Sequence, residues 1–283
     1  MRNNTRHEPG TILITGCSSG IGLCVAQGLK QRGYRVFAPA RRADSVEQVR
    51  DMGLESLRLD LDDSDSIRAA VAEILERTGG TLDALFNNGA FGLPGAVEDL
   101  SRDAIRAQFE TNLFGWLELT NLVLPVMRAH GHGRIIQNSS ILGLVAMPYR
   151  GAYNASKFAL EGLSDTLRLE LHGSGIHISL IEPGPILSNF RANSLIALEK
   201  HIDIEHSVHA EFYRRVLARL KKQGPAVPFT LPPKAVLDKV IHALESRRPA
   251  ARYYVTAPTH VFGFLKRLLP VRLLDRLLRL AGG

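Results

Sequence analysis

Cysteine is almost missing from this chain: 283 residues carry two, Cys17 and Cys24. They have no metal-ligand spacing and cannot build a disulfide framework, which points to a reducing, cytoplasmic setting. Aromatic residues are also few, at 6%, and they do not interleave with a basic stripe. The formal net charge of +7 therefore does not imply nucleic acid; an anionic cofactor or an anionic membrane surface accounts for it as well. No run reaches the ~18 uninterrupted apolar residues of a spanning helix. Residues 1–10 are polar and lack the apolar core of a secretory signal. Internal repeats and low-complexity linkers are missing too.

What is present is ordinary globular material, 45% hydrophobic and 22% charged, enough for a large core. The chain alternates strand and helix patterns. Thr11 to Thr15, Tyr34 to Ala38, Leu54 to Leu59, Leu82 to Phe86, Arg134 to Gln137 and Ile176 to Ile181 read as strands. Helix patterns run from the glycine loop to Lys30, from an N-cap at Ser64 to Arg77, from Ser101 to Met127, and from Phe158 to Leu171. Such alternation predicts βαβ units: an α/β fold, doubly wound, with a parallel Rossmann-type sheet and helices on both faces. The expected layout is a tail at 1–10, one domain at 11–257 with a substrate lid at about 186–230, and an amphipathic tail at 258–283.

Three stretches carry chemistry. Gly16, Gly20 and Gly22 follow the first strand and open a helix. Glycines there permit a tight turn and close approach of backbone to a pyrophosphate, which the free N–H groups of the helix N-terminus would hold. No Gly-Lys-Ser/Thr ending follows, which disfavours a nucleotide-hydrolysing P-loop. Arg41 and Arg42 end the second strand where an acid would favour NAD; two guanidiniums suit a 2′-phosphate and so NADP. Asp60, at the end of the third predicted strand, is placed to accept from an adenine amino group. Tyr153 and Lys157 lie four apart, hence on one helix face. A cation there lowers the phenol pKa toward the range of general acid–base work.

Taken together, Thr15-Gly16-x-x-x-Gly20-Ile21-Gly22, Asn87-Asn88, Asn112, Ser140 thirteen residues before Tyr153, Tyr153-x-x-x-Lys157 and Pro183-Gly184 resemble the short-chain dehydrogenase/reductase family over about residues 11 to 190. The phrasing is similar to the branch of hydroxysteroid and retinol dehydrogenases and bacterial NADP-dependent aldehyde reductases. The resemblance implies that Tyr153 donates a proton to a substrate carbonyl as hydride arrives. It implies that Lys157 lowers the tyrosine pKa and holds the nicotinamide ribose, that Ser140 positions the carbonyl oxygen, and that Asn112 holds a water leading to Lys157. Cofactor contacts are implied at Gly16, Ser18, Ser19, Gly20, Ile21, Gly22, Arg41, Arg42, Asp60, Leu61, Asn87, Asn88, Gly89, Tyr153, Lys157, Pro183, Gly184, Ile186 and Ser188. Ser188 stands where the family often has Thr. Asn87-Asn88-Gly89-Ala90 departs from the family's Asn-Asn-Ala-Gly and puts the Ala90 Cβ where a glycine normally allows close approach.

The expected activity is NADP(H)-dependent transfer of hydride between nicotinamide and the carbonyl or alcohol of an apolar substrate such as an aldehyde, retinoid or steroid. A nucleotide-binding regulator with little turnover is the alternative; it would not need the Asn-Ser-Tyr-Lys set. A methyltransferase would need an acid where Arg41 and Arg42 stand. His201, His206 and His209 with Glu205 share no clean helical face and read as lid residues, so no metal is expected. Phe262 to Leu280 is leucine-rich and basic, split by Pro270. It reads first as a tail packed on its own body or a partner subunit, with an interfacial, peripheral membrane helix as the competing account. A homo-oligomer, dimer or tetramer, is expected.

Overall fold

Short apolar runs rich in β-branched residues become the strands. The computed structural model describes residues 9–222, 224–225 and 227–282; most of the predicted 1–10 tail lies outside the described residues. Its strands are β1 (Thr11–Ile14), β2 (Arg35–Phe37), β3 (Ala84–Asn87), β4 (Gly133–Asn138), β5 (Ile176–Glu182) and β6 (Arg252–Tyr254). They form one parallel sheet in the order β2-β1-β3-β4-β5-β6. In register, Leu13 faces Phe37 on one side and Leu85 on the other.

The α-helices are α1 (Gly20–Gln31), α2 (Ala43–Asp51), α3 (Ser64–Thr78), α4 (Arg102–Phe109), α5 (Gly115–His130), α6 (Gly151–Glu170), α7 (Phe190–His201), α8 (Ala210–Lys221), α9 (Lys234–Glu245), α10 (Ala257–Leu268) and α11 (Val271–Gly282). Alternate strand residues feed two cores, as the period of two requires. Leu13, Leu85, Ile135 and Ile178 pack with Ile67 of α3 and Trp116 and Val123 of α5. Ile12, Ile14, Phe86 and Ile136 pack with Val25 and Leu29 of α1 and Val240 of α9. Each such fully buried side chain is worth about 1.5–3 kcal/mol of transfer free energy.

Several boundaries differ from the sequence expectations. Leu54 to Leu59 is not a continuous strand. It touches the β2 edge at two bridges, Phe37 with Glu55 and Ala40 with Arg58, because only alternate groups of this outermost segment find a backbone partner. The cap of α3 is Asp63 rather than Ser64; its carboxylate accepts from the N–H groups of Asp65 and Ser66, relieving two orphan donors. The 101–127 helix begins as predicted, with the Ser101 hydroxyl accepting from Ala104 N–H. A π-helical stretch, Glu110–Phe114, then divides it before α5 carries on to His130. α2, β6 and the helices α7, α8 and α9 have no counterpart among the sequence expectations. α2 buries only Val46 and Val49, too few apolar positions to display a period.

Candidate active site

Parallel strands deliver their carboxyl ends to one edge of the sheet, where ligands of such folds bind. Residues from separate parts of the sequence meet there. Gly16 leaves β1 with φ +71, and Gly20 opens α1 with φ +58, a region that side chains with a Cβ resist. A Cβ on Gly22 would stand 2.2 Å from the Gly16 carbonyl oxygen, so helix and loop meet as closely as backbone allows. Gly20 reaches across to Ser188, where an added Cβ would lie 3.0 Å from the serine Cβ. Ser19 caps α1 without a side-chain hydrogen bond, so the first N–H groups of the helix, at Gly20 and Ile21 beside exposed Ser18, remain available to phosphate oxygens. This glycine cradle at a helix N-terminus fits a dinucleotide pyrophosphate.

The other walls are tied together by side-chain amides and hydroxyls. The Thr15 hydroxyl accepts from the N–H groups of Asn88 and Gly89, both at 2.8 Å. Asn88 donates to the Thr15 carbonyl at 2.9 Å and accepts from Asn138 at 2.9 Å, stitching β1, β3 and β4. Asn87 is buried and donates to Thr120 at 3.1 Å. Asn-Asn-Gly-Ala has a local rationale: a Cβ on Gly16 would stand 2.6 Å from the Gly89 Cα, so these two residues meet backbone to backbone. Ala90 packs instead against the α5-side core. Leu61 is buried, and Asp60 is half-buried with its N–H on Ser66 and its carboxylate accepting from Asp62 N–H.

Arg41 and Arg42 are both exposed beyond β2. They are unequal: Arg42 pairs with Asp44 in the first turn of α2, which holds that carboxyl down at about 2. Pro183 accepts from Ile141 N–H at 2.8 Å, locking the segment after β5 to the Ser140 turn. Gly184 lies against Thr256, Ile186 bridges to Leu231, and the Ser188 hydroxyl accepts from Phe190 N–H.

The four remaining candidates converge through α6. Ser140 caps a short turn, Ile141–Gly143, by accepting from Leu142 N–H at 3.1 Å. Lys157 is 1% exposed and donates to the Asn138 carbonyl at 2.8 Å. Its ammonium sits 4.3 Å over the Trp116 ring and 5.7 Å from the Tyr153 ring centre. Asn112 sits in the π-helical stretch, where the widened turn aims its amide inward. It bonds both backbone groups of Phe91 and donates to Ser156 at 3.3 Å; Ser156 donates to the Tyr153 carbonyl. Asn112 thus reaches the Tyr153 backbone through Ser156.

Burial pushes the Tyr153 phenol up to about 12, with a hydrogen bond from the Ser140 side chain opposing it. Burial pulls Lys157 down to about 7, opposed by Glu161 one turn along α6. Sequence reasoning missed this surrounding shell: Trp116, Asn138, Glu161 and Glu182. Glu182 is buried outright, and burial with the adjacent Glu161 raises it to about 8 while Arg252, at 3.1 Å, opposes. The i, i+4 series Tyr153, Lys157, Glu161, Asp165 was the legible trace of this cluster.

The lid histidines go to separate partners, His206 to Asp203 at 2.8 Å and His209 to Glu98 at 2.5 Å. Among the described residues no group of three or more His, Cys, Asp or Glu could hold a metal. A cavity of about 750 Å³ near His172, Ile176 and Pro249 lies at the amino end of β5, on the edge opposite these groups.

Comparison with known proteins follows the same lines. The family model for short chain dehydrogenase matches residues 10–197. The chain is 44% identical to the uncharacterized oxidoreductase YbbO of Escherichia coli K12, over 95% of this chain and 94% of that protein. It is 36% identical to a 3-ketodihydrosphingosine reductase of Bacteroides thetaiotaomicron, over 76% of this chain and 77% of the relative. Among solved structures, an actinorhodin polyketide ketoreductase variant with NADPH superposes with a TM-score of 0.69 at 29% identity, covering 87% of this chain and 95% of that one. Other solved structures of this fold hold NAD or NADP.

Proposed function

The chain belongs to the short-chain dehydrogenase family, a family of nicotinamide-dependent oxidoreductases, and from that premise we propose that it interconverts the carbonyl and alcohol of an apolar substrate with NADP(H). The observation that carries this reading is the meeting of Ser140, Tyr153 and buried Lys157 at the carboxyl edge of the sheet, beside the Gly16–Gly22 cradle. The bound nicotinamide supplies or accepts the hydride. The protein's own share is positional and protonic. Ser140 and Tyr153 present hydroxyl donors to a carbonyl oxygen, where negative charge grows in the transition state. A phenol held near 12 stays protonated at neutral pH, as a proton donor for reduction requires. Lys157, anchored on the Asn138 carbonyl, would hold the nicotinamide ribose, and Asn112 fixes the Phe91 backbone.

Arg41 supports NADP over NAD, since among the described residues its guanidinium has no acidic partner while that of Arg42 is engaged by Asp44. The apolar walls Phe190, Leu142 and Val145 around Tyr153 support an apolar substrate. Exposed Phe114 at the end of the π-helical stretch, Leu117 on α5, and Phe158 and Leu163 on α6 support a homo-oligomer. The exposed leucines of α11 beside its arginines support peripheral membrane contact.

Tyr153→Phe tests the chemistry. It should keep NADPH affinity and lose turnover of medium-chain aldehydes by on the order of 10²–10⁴. Near-normal kcat removes Tyr153 from the proton path. NADPH binding with no turnover of any aldehyde, retinoid or steroid by the unaltered protein would favour the nucleotide-binding regulator.

A further inference from the structure

The chain holds a basic cavity for which the reaction above has no use. It encloses about 900 Å³, and its walls come from four separate segments. These are the turn at Val97, the Pro148–Tyr149 loop leading into Tyr153, α8, and the end of α11. Three guanidiniums line it: Arg215 and Arg219 from α8, and Arg279 from α11. A single carboxylate, Glu98, shares the lining, and His209 engages it at 2.5 Å. Among the described residues Arg215, Arg219 and Arg279 have no ion-pair partner. Arg219 is only partly exposed, and burial together with Arg191 weakens its charged form. The neighbouring Arg150 is pulled down to about 10, by burial first and by Arg219 second. Three guanidiniums thus share one cavity with a single carboxylate that His209 already engages, Arg215 and Arg279 exposed and Arg219 partly buried. An anion entering among them would gain charge-assisted hydrogen bonds.

The remaining wall is aromatic. Tyr149 stacks on Phe212 at 3.5 Å between ring centres, nearly parallel at 17°. Tyr149 adopts φ +59, a strained value for a residue with a bulky side chain. Two of its walls continue toward the reacting groups: Tyr149 is four residues before Tyr153, and Leu278, one residue before Arg279, packs in one cluster with Ile141, Leu142, Val145 and Tyr153.

We propose that this cavity binds the anionic end of an amphiphilic substrate, a carboxylate or phosphate monoester, with Arg215, Arg219 and Arg279 as the anion contacts and the Tyr149–Phe212 stack against its chain. The placement of the substrate's far end rests on the oxidoreductase reading; the anion site itself does not. It narrows the apolar substrate class to molecules carrying a charge several carbons from the carbonyl.

The decisive measurement needs no turnover. Decanoate, decyl phosphate and decanol, each below its micelle concentration or solubility limit, are titrated calorimetrically into the full chain and into Arg215→Ala/Arg219→Ala. At least one anion should bind about tenfold or more tighter than decanol, and the advantage should fall below about threefold in the double variant. Preference for decanoate alone assigns a carboxylate, and for decyl phosphate alone a phosphate ester. Equal binding of all three ligands, or an advantage that survives the substitutions, overturns the site. Arg279→Ala, on an exposed position, provides the same comparison should the double variant not fold, with a partial loss of the advantage expected and an unchanged advantage counting against the site. A second arm compares kcat/KM for 10-oxodecanoate and its methyl ester; the acid-to-ester ratio should fall about tenfold in the double variant. Anion binding with neither compound reduced separates failure of the oxidoreductase reading from failure of the site.

Discussion

At the scale of single residues, the two arginines after β2 are chemically alike but not equivalent. Asp44 occupies Arg42 through two N–H donors, whereas Arg41 stands exposed without such a carboxylate among the described residues. Arg41→Ala should therefore weaken NADPH binding more than Arg42→Ala, and neither should move NADH binding comparably. Fluorescence titration of both cofactors decides it, and equal losses for NADPH and NADH would show that the arginines do not read the 2′-phosphate. Glu182 allows a pH prediction. Its carboxyl is raised to about 8 by burial and by Glu161, so the folded chain holds a proton that the unfolded chain releases near 4.5. The stability this supplies is fully present below about 4.5 and is lost as pH rises through about 8. Lys157 has the opposite sign: depressed to about 7, its contribution is present above about 10.5 and lost as pH falls through 7. Glu182→Gln keeps the shape and stays neutral. Its stability relative to the unaltered protein should rise from pH 5.5 to 8.5, by on the order of a few kcal/mol. Urea midpoints at pH 5.5, 7 and 8.5 measure this, and a constant difference across the three would rule out a raised Glu182.

At the scale of elements, the π-helical stretch does what a regular helix could not. It shifts the phase between α4 and α5, so that Asn112 and Trp116 both turn toward the sheet edge, Trp116 donating to the Gly89 carbonyl at 2.8 Å. Gly115 begins α5 directly after it, and a Cβ there would stand 2.1 Å from the Leu61 carbonyl oxygen. Gly115→Ala should therefore destabilise the fold by about 1–3 kcal/mol, read as a lower urea midpoint; an unchanged midpoint would show that α5 can move away from Leu61. Legibility followed the same physics. The glycine loop, the Tyr153–Lys157 pair and the buried strands announced themselves because periodicity and residue type are local properties. The π-helical stretch did not, since an added residue per turn leaves the apolar spacing of 101–127 helical. Leu54 to Leu59 read as a strand because alternation was present, but partners at an outer edge are a tertiary matter. Glu182 carries no signal in the sequence, because only the fold sets it beside Glu161 and Arg252.

At the scale of the whole molecule, the tail packs on its own body through one face and leaves another exposed. Pro270 separates α10 from α11, Leu269 before it being extended as that proline demands. Leu274 and Leu278 pack on Ile141, Leu142 and Val145, so α11 is part of the body and covers the Ser140 turn. Leu273 and Leu280 are exposed, at 44% and 83%, as are Phe264 at 62% and Leu268 at 61% on α10. Arg267 lies on α10 and Arg272 and Arg276 on α11 with these side chains, while Lys266 turns to the Phe158 ring of α6. No helix among the described residues is long and apolar enough to cross a membrane, so contact would be by lying flat. Cutting the tail off would uncover the Ile141 cluster and confuse unfolding with lost docking. Leu273→Glu/Leu280→Glu spares the packed leucines and is the cleaner probe. The unaltered chain should co-sediment with vesicles containing anionic lipid at low salt, where each nearby cation adds about 1 kcal/mol, and should release as salt rises. The double variant should remain in the supernatant with its urea midpoint unchanged. If the unaltered chain stays in the supernatant as well, the exposed face has another occupant. A second copy is then the candidate, and a mass measurement on the variant, showing dissociation relative to the unaltered chain, distinguishes this face from the exposed aromatic face of α5 and α6.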